Sequence, residues 1–468
     1  MSLRVRAISI FLFLFFSLSL LYGRAVIQND GITYYALTSS LIHDHNFDLS
    51  NEAKRLRDLR VFPSLQTGKI ASIYSCGFAF LYAPILLLTE AFPVLNQIRP
   101  YAQNAIIPFA DALGVFIGSV LFSLTSLLLS YKLLKHFELD THLALFFSFA
   151  VFCGTPLIFY TFTTPSFSHA ADAFLFSAIF YLAIRKVRMR NVFLGFFLGL
   201  SVLLRNVNAF VILPIVVWVL YFEHKEGKHL LRSLAEIAAG GLPIVTIQLS
   251  YNFAQYGSFF ATGYPVPIAE RPQHVLDMIV SLKRMLVDPS LGLFVWSPVA
   301  LLSLCGLIIG CIKRNKESVL AIMCFVSVVG ALCFFRVMTP GATFGNRFLS
   351  HIFILWVVGL YELFKLMPRH ILIVTAVPVL WSFLLFNAYY INFANPESRK
   401  FLSAFKEPNP IQVFQASVEG FRKTKSANNP LSFWYRSLGS GQYPSLHFLI
   451  WHPESRHEIR LQKKRSTE

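Results

Sequence analysis

Two aspartates beside long apolar segments are the residues best placed for acid–base chemistry. Asp30 lies in the polar run 28–31, shortly after the apolar segment 7–22. A carboxylate at a membrane surface can take a proton from an incoming hydroxyl while a lipid-borne substrate approaches from the bilayer. Asp30 or Asn29 can equally cap a helix that covers residues 32–42. The single residue leaves both interpretations open.

The second aspartate, Asp172, follows His169 at the start of the apolar segment 170–184. This spacing places both side chains on one face of a helix. A charged residue at the mouth of a membrane span usually faces the interior of the helix bundle or water, which suits a catalytic acid. An acidic residue in the first turn also stabilises a helix through its macrodipole. A catalytic and a structural role therefore remain alternatives.

Two arginines have the chemistry to hold an anion near these carboxylates. Arg205 closes the short apolar segment 191–205, and Arg347 ends the glycine-rich stretch 339–347. An arginine at the end of a span can clamp a phosphate by charge-assisted hydrogen bonds or extend to lipid headgroups. The glycines let backbone amides approach an anion, although a tight turn between helices needs them equally.

Lys69 and Tyr74 lie at the start of a further apolar segment, 70–92, and can add an ammonium and a hydroxyl to the same anion site. No glycine-containing stretch matches a nucleotide P-loop or a dinucleotide fingerprint, so a soluble nucleotide donor is not expected. The six cysteines show no metal-ligand spacing. The sequence predicts no metal site and leaves the use of a divalent metal open.

The composition predicts the class of protein that carries these residues. Of 468 residues, 55% are hydrophobic and 14% are charged, and the mean hydropathy is +0.57. Such values exclude a water-soluble globular enzyme. The apolar runs are continuous rather than alternating, which excludes a barrel of transmembrane strands. We therefore predict an all-α polytopic membrane protein.

About eleven apolar segments are each long enough to cross a ~30 Å hydrocarbon core as a helix. They cover residues 7–22, 105–131, 142–160, 170–184, 191–205, 207–222, 233–253, 294–312, 318–335, 348–364 and 371–391. Lysines and arginines cluster in the loops after alternate spans, which predicts a cytoplasmic N-terminus. This bias also explains the net charge of +17, so no nucleic-acid partner is expected.

The segment 70–92 is apolar enough to be a twelfth span. Counting it would move the later basic loops to the outside, against the positive-inside rule. Pro84 also interrupts it, so we predict a helix that lies in or dips into the outer interface. The outer face then holds the long first loop 24–104, with its interfacial helices, and the loops 254–293 and 336–347. Function is expected on that face.

Two regions are predicted. Residues 1–391 form the transmembrane domain, and residues 392–468 form a less apolar C-terminal region with a basic end. The second region is expected to be either a small cap on the outer side or a basic tail that touches lipid.

In their order along the chain, these features resemble the C-type (GT-C fold) membrane glycosyltransferases. That group includes the protein O-mannosyltransferases, the lipid A aminoarabinose transferases and the lipopolysaccharide-core galacturonosyltransferases. The resemblance covers residues 1–390 and implies a GT-C-like fold. The matching stretches are Asp30-Gly31 with Tyr34-Tyr35, Tyr74-Ser75-Cys76-Gly77 with Pro84, His169 to Asp172, Gly199 to Arg205, Asn252, Tyr256-Gly257-Ser258, Thr262-Gly263-Tyr264, Gly292 to Pro298, and Gly345-Asn346-Arg347-Phe348.

The resemblance implies transfer of one sugar from a polyprenyl-phosphate carrier to an acceptor hydroxyl, with inversion at the anomeric carbon. The reaction is expected on the outer, periplasmic side of a bacterial inner membrane. The expected partners are the lipid-linked donor, an acceptor that is a glycan, a lipid or a protein, and the surrounding membrane lipids.

The resemblance also implies roles for particular residues. Asp30 is the expected general base, and Asp172 is a second acid that orients the base or the acceptor. The sequence departs from better known members because Asn29 and Gly31 flank Asp30 where a paired acid is usual, and because it lacks a Lys-Pro-Pro style motif. The expected substrate-binding residues are Lys69, Arg205 and Arg347 for the donor phosphate, and Tyr74, His169 and Tyr264.

Two other classes of protein remain alternatives. A secondary transporter or lipid flippase would also place polar residues among many spans, but such proteins commonly show internal repeats and charges near the bilayer midplane. Here no convincing repeat is found, and the polar residues collect at one predicted surface. In a noncatalytic assembly or lipid-binding protein, Asp30 would only cap a helix.

Overall fold

The computed structural model describes residues 3–97, 107–263, 274–334, 344–405, 407–423, 430–439 and 445–446. Helices dominate these residues, and two short strands pair antiparallel within the first predicted outer loop. The predicted all-α polytopic fold is confirmed. The boundary predicted at residue 391 stays a prediction.

Twenty helices lie within the described residues. Their bounds are α1 Leu3–Tyr22, α2 Asp30–Ser39, α3 Ser50–Arg55, α4 Gly77–Glu90, α5 Phe109–His136, α6 Thr141–Gly154, α7 Leu157–Phe162, α8 His169–Ile184, α9 Arg190–Leu204, α10 Ala209–Lys225, α11 Leu230–Tyr256, α12 Val275–Val287, α13 Leu293–Trp296, α14 Pro298–Ile312, α15 Lys316–Phe334, α16 Phe353–Leu366, α17 Ile371–Ala394, α18 Pro396–Leu402, α19 Pro410–Lys423 and α20 Pro430–Gly439. The strands are β1 Val61–Pro63 and β2 Ile70–Ser72. Short 3-10 turns cover Pro93–Gln97, Asn206–Asn208 and Arg347–Ile352, and a π turn covers Ser40–Asp44.

Seven helical stretches among the described residues are long and apolar enough to cross a membrane. They are Val5–Tyr22, Phe109–His136, Asn206–Lys225, Leu230–Tyr256, Lys316–Phe334, Arg347–Leu366 and Ile371–Asn392. Shorter apolar helices, among them α6, α8, α9 and α14, fall within the other predicted spans. Every predicted span therefore contains at least one helix. The orientation in the membrane stays a prediction.

Two predicted spans are each divided into two helices at a proline. The segment 142–160 breaks between α6 and α7, where Thr155 is extended before Pro156. The segment 294–312 breaks between α13 and α14, where Ser297 leaves the helical region before Pro298. A proline disfavours the helical conformation of the residue before it and is well suited to the first turn of the next helix.

The segment 70–92 is not one continuous helix. Its first residues form β2, and α4 begins only at Gly77. A β carbon at Gly77 would lie 2.4 Å from the backbone nitrogen of Leu204, so α4 begins in direct contact with the end of α9. Whether α4 lies in the interface stays a prediction.

The first predicted outer loop is held against the helix bundle by buried polar contacts. Tyr35 on α2 donates a 2.6 Å hydrogen bond to Asp111 on α5. Burial, reinforced by the nearby Asp111 carboxylate, raises the pKa of Tyr35, so this phenol stays a neutral donor. On α11, Gln255 accepts from the backbone amide of Ser72 at 2.9 Å and donates to the carbonyl of Phe47. The hydrogen bond of Tyr35 helps to position α2, which begins with Asp30.

Helices α9 and α11 approach so closely that backbone meets backbone. A β carbon at Gly195 would lie 1.8 Å from the carbonyl oxygen of Ile237, and one at Gly240 would lie 1.9 Å from that of Val192. No real side chain tolerates such distances, so glycine is required on both helices. This packing fixes the position of α9. Arg190 is the first residue of this helix, and Arg205 follows its last residue.

The substitution Gly195→Ala is expected to destabilise the protein by about 1–3 kcal/mol, because the added methyl group must push α9 away from α11. The measurement is unfolding of the purified protein in detergent. Gly330→Ala in α15 is the matched control, since nothing lies within 4 Å of its β-carbon position. Equal stability of the two variants would contradict the close packing.

Candidate functional site

Asp30 occupies the first position of α2 and does not act as its N-cap. The N-cap is Asn29, whose side chain makes no capping hydrogen bond and whose φ of 52° is unusual for a residue other than glycine. The Asp30 carboxylate instead lies 3.2 Å from the guanidinium of Arg347, with the two side chains 19% and 14% exposed. The structure thus pairs the carboxylate with a cation and leaves it partly accessible.

A close backbone contact sets the direction in which Asp30 points. A β carbon at Gly31 would lie 2.2 Å from the hydroxyl oxygen of Ser166. That hydroxyl also accepts a 3.2 Å hydrogen bond from the backbone amide of Gln28. The start of α2 therefore packs directly on the loop before α8, and only glycine fits next to Asp30.

Asp172 is fully buried, and both of its carboxylate oxygens have partners. Arg205 donates a 2.8 Å hydrogen bond to one oxygen, and Asn208 donates a 2.7 Å hydrogen bond to the other. The Nδ1 atom of His351 lies 3.7 Å from the first of these oxygens. A buried carboxylate with both oxygens occupied holds its partners in place and is not open to a substrate.

Ends of helices supply these charged groups. Asp172 lies in the first turn of α8, and Arg205 follows the last residue of α9 in an extended conformation. Asn208 ends the 3-10 turn that leads into α10. Arg347 and His351 come from one 3-10 turn before α16, so this single turn reaches Asp30 with one residue and Asp172 with the other.

Aromatic rings join the two ion pairs into one cluster. The guanidinium carbons of Arg347 and Arg205 lie 5.1 Å and 5.7 Å from the ring centroid of Phe348. The Arg347 guanidinium also lies 5.1 Å from the ring of Phe167, which stacks on His169 with centroids 5.9 Å apart. Arginine over an aromatic face gains cation–π attraction, so the rings restrain both cations. We call Asp30, Arg347, Phe348, Arg205 and Asp172 the ion-pair cluster.

Several buried polar atoms beside the ion-pair cluster make no hydrogen bond with the residues that the structure describes. They are His169 Nδ1, His351 Nε2, Arg347 Nε, Asn208 Oδ1 and Gln28 Nε2. Most buried polar groups in proteins have a partner, so a group of them without one is unusual. The arrangement leaves donors and acceptors available inside the protein.

The remaining predicted site residues lie elsewhere or cannot be described. Lys69 donates a 3.3 Å hydrogen bond to the carbonyl of Ala254 near the end of α11, and the structure does not join it to either ion pair. The ring of Tyr74 packs on Tyr34 of α2, with centroids 4.6 Å apart, so it supports the helix that carries Asp30. Tyr264 lies outside the described residues.

Sequence reasoning missed Asn208, His351 and the two aromatic rings. A local signal existed for two of them, because Asn208 follows Arg205 by three residues and His351 follows Arg347 by four, each near the start of a predicted span. No signal indicated that Phe167 and Phe348 face the arginines. Within the ranges that the structure describes, no three His, Cys, Asp or Glu side chains are grouped as metal ligands would be.

Comparisons with known proteins find only distant similarity. No protein-family profile and no curated protein matches the chain. The Archaeoglobus fulgidus oligosaccharyltransferase in its apo form matches with a TM-score of 0.49 and 12% identity, over 93% of this chain and 63% of that one. ArnT from Cupriavidus metallidurans, bound to undecaprenyl phosphate, matches with a TM-score of 0.44 and 12% identity, over 93% and 76%.

This chain thus spans less than two thirds of the length of the archaeal oligosaccharyltransferase. With TM-scores below 0.5 and 12% identity, the similarity does not place this chain in the family of either protein. It assigns neither an activity nor a ligand to this chain.

Removal of either partner of the buried Asp172–Arg205 pair is expected to destabilise the protein by about 3 kcal/mol, because the other charge stays buried. In a double-mutant cycle of Asp172→Asn and Arg205→Gln, the two effects should fall short of additivity by at least about 1 kcal/mol. The measurement is denaturant unfolding in detergent.

The exposed pair Arg232–Glu236, with N–O distance 3.1 Å, is the control for this cycle. Arg232→Gln and Glu236→Gln should couple by no more than about 0.5 kcal/mol. Additive effects of the Asp172 and Arg205 substitutions would show that their ion pair does not stabilise the fold.

Proposed function

We propose that this protein is a membrane glycosyltransferase that moves one sugar from a polyprenyl-phosphate carrier to an acceptor hydroxyl. The observation that supports it is the partly accessible Asp30 carboxylate, 3.2 Å from Arg347, in a cluster that also holds a second, buried ion pair. A base and two cations at the ends of apolar helices are the groups that transfer from a lipid phosphate requires.

In the proposed reaction, a carboxylate oxygen of Asp30 accepts the proton of the acceptor hydroxyl. The hydroxyl oxygen forms a bond to the anomeric carbon, and the bond between that carbon and the phosphate oxygen breaks. The electron pair stays on the phosphate oxygen, so polyprenyl phosphate leaves with one more negative charge. Attack from the face opposite the leaving group inverts the anomeric centre.

The leaving phosphate needs cations more than it needs an acid, because its oxygens gain charge as the glycosidic bond breaks. Arg347 and Arg205 are the proposed ligands. A guanidinium has five N–H donors, and the Arg347 Nε atom makes no hydrogen bond with the described residues. Arg347 can therefore contact Asp30 and a phosphate at once.

Asp172 is proposed as a positioning residue rather than as an acid that touches substrate. Its oxygens are occupied by Arg205 and Asn208, and the residue is fully buried. A carboxylate so placed fixes the direction of the Arg205 guanidinium, as supporting contacts around an active site commonly do. This differs from the role that the family resemblance implied, in which Asp172 orients Asp30 or the acceptor.

The sugar is proposed to lie against the buried polar atoms that make no hydrogen bond with the described residues. His169 Nδ1, Gln28 Nε2 and Asn208 Oδ1 supply donors and acceptors of the kind that sugar hydroxyls bind. The acceptor is a glycan, a lipid or a protein. Loop charge predicts that the reaction takes place on the outer face of the membrane, and the family resemblance implies a bacterial inner membrane. Substrate contacts by Lys69, Tyr74 and Tyr264 stay predictions.

Asp30→Asn is expected to reduce transfer by at least about 100-fold, since the neutral amide cannot accept the proton. The assay follows conversion of polyprenyl-phosphate sugar, extracted from membranes, to polyprenyl phosphate. Asp58→Asn is the control, because Asp58 is an exposed carboxylate in the same loop and its φ of 62° suits asparagine. Full activity of Asp30→Asn with a normal protein level would refute the base mechanism.

The donor class is tested by mass spectrometry of lipids that purify with the chain. We expect a polyprenyl phosphate or its glycosylated form, and we expect the double variant Arg205→Gln, Arg347→Gln to retain about tenfold less of it. The Asp58→Asn protein should retain as much as the unaltered chain. Equal retention by the double variant would mean that these arginines do not hold the carrier.

A further inference from the structure

A cavity lined mainly by charged and polar side chains lies far from the ion-pair cluster. It has a volume of about 740 Å³ and lies between the loop before α9 and the start of α11. Arg190, the first residue of α9, lines it, whereas Arg205 follows the last residue of that helix. The fifteen residues of α9 separate the two places by about 22 Å, so the cavity is not part of the proposed active site.

The side chains that line this cavity carry an excess of positive charge. Lys186, Arg190, Lys228 and Arg232 face two carboxylates, Glu223 and Glu236. Arg190 and Glu223 form a buried ion pair, and Asn191 donates to both Glu223 and Glu236. These groups hydrogen-bond to one another and form the polar base of the cavity.

The other three cations are exposed at the cavity. The side chains of Lys186, Lys228 and Arg232 are 68%, 50% and 81% exposed, although each also contacts a carboxylate. The Lys186–Glu226 and Arg232–Glu236 pairs are partly exposed, and exposed ion pairs contribute little free energy, so a phosphate can compete for these two cations. Lys228 contacts the buried Glu223 and adds a third positive charge beside the cavity.

The backbone adds to this positive field. The helices α9 and α11 both begin at the cavity, with Met189 and His229 as N-caps that make no side-chain capping bond. Neither helix has an acidic residue in its first turn. Amide groups at a helix N-terminus favour an anion, and here two such ends supplement the cationic side chains.

The rim of the cavity includes exposed apolar side chains. Val187 and Met189 line the cavity and are 40% and 58% exposed, and Phe193, Leu231 and Leu234, which follow or flank other lining residues in sequence, are exposed as well, Leu231 to 83%. In a membrane protein such side chains contact acyl chains. A ligand with a charged head and an apolar body matches both surfaces, whereas a soluble anion matches only the first.

We propose that this cavity binds the phosphate headgroup of an anionic phospholipid, whose acyl chains lie on the apolar rim. The lipid would hold the end of α9 that is remote from Arg205. This proposal does not depend on the activity assigned to Asp30. A soluble phosphate ester offers the same charge, and the experiment must separate the two sources.

The test uses the full chain in detergent with added phosphatidylglycerol, and native mass spectrometry counts the lipid molecules retained. The double variant Lys228→Gln, Arg232→Gln should retain phosphatidylglycerol about 30-fold less well, because each cation near a lipid surface contributes a factor of about five. The control is Lys132→Gln, Lys225→Gln, which removes the same charge from exposed positions outside the cavity. Its retention should equal that of the unaltered chain.

Two further arms decide the source of the phosphate. Millimolar glycerol phosphate should not displace the lipid, and Leu231→Ser should weaken retention severalfold without a change of charge. Thermal unfolding of each variant establishes that it is folded, and Arg232→Gln alone replaces the double variant if that one unfolds. Equal losses in the cavity and control variants, no loss in either, or displacement by glycerol phosphate would each overturn the proposal.

Discussion

A charge buried among apolar helices must be paired, and the pairing of Asp172 organises the rest of the ion-pair cluster. Its two oxygens take hydrogen bonds from Arg205 and Asn208, which joins the start of α8 to the turn between α9 and α10. Arg205 lies between the end of α9 and the turn before α10. Without the Asp172 carboxylate, its guanidinium would lose the hydrogen bond that fixes its direction. The ion-pair cluster therefore depends first on the structural pair Asp172–Arg205 and not on Asp30, the proposed base.

The second pair differs from the first in exposure. Asp172 is inaccessible, whereas Asp30 and Arg347 are each partly exposed. The shared ring of Phe348 places the second arginine beside the first. The Asp172–Arg205 pair is thus suited to fixing the positions of neighbouring groups. The Asp30–Arg347 pair is suited to contacting a substrate. This division explains why two aspartates of the same chemistry are assigned different roles.

Helix α9 links the two polar regions of the protein. Its glycine contacts hold it so close to α11 that no larger residue fits at those positions. Arg205 follows one end, and the cavity around Arg190 lies at the other. The proposed active site and the proposed lipid site therefore lie at opposite ends of one closely packed helix.

The sequence by itself determined the fold class, because hydropathy and helix length are local properties and a span needs only its own residues. It also indicated Asp30, Asp172, Arg205 and Arg347, since a charge beside an apolar segment is conspicuous wherever it lies. The tertiary structure alone decided which carboxylate meets which arginine, that Lys69 joins neither pair, and that Asp172 is sealed from substrate. Those outcomes depend on the packing of segments far apart in the chain, and no local pattern of residue types encodes such distances.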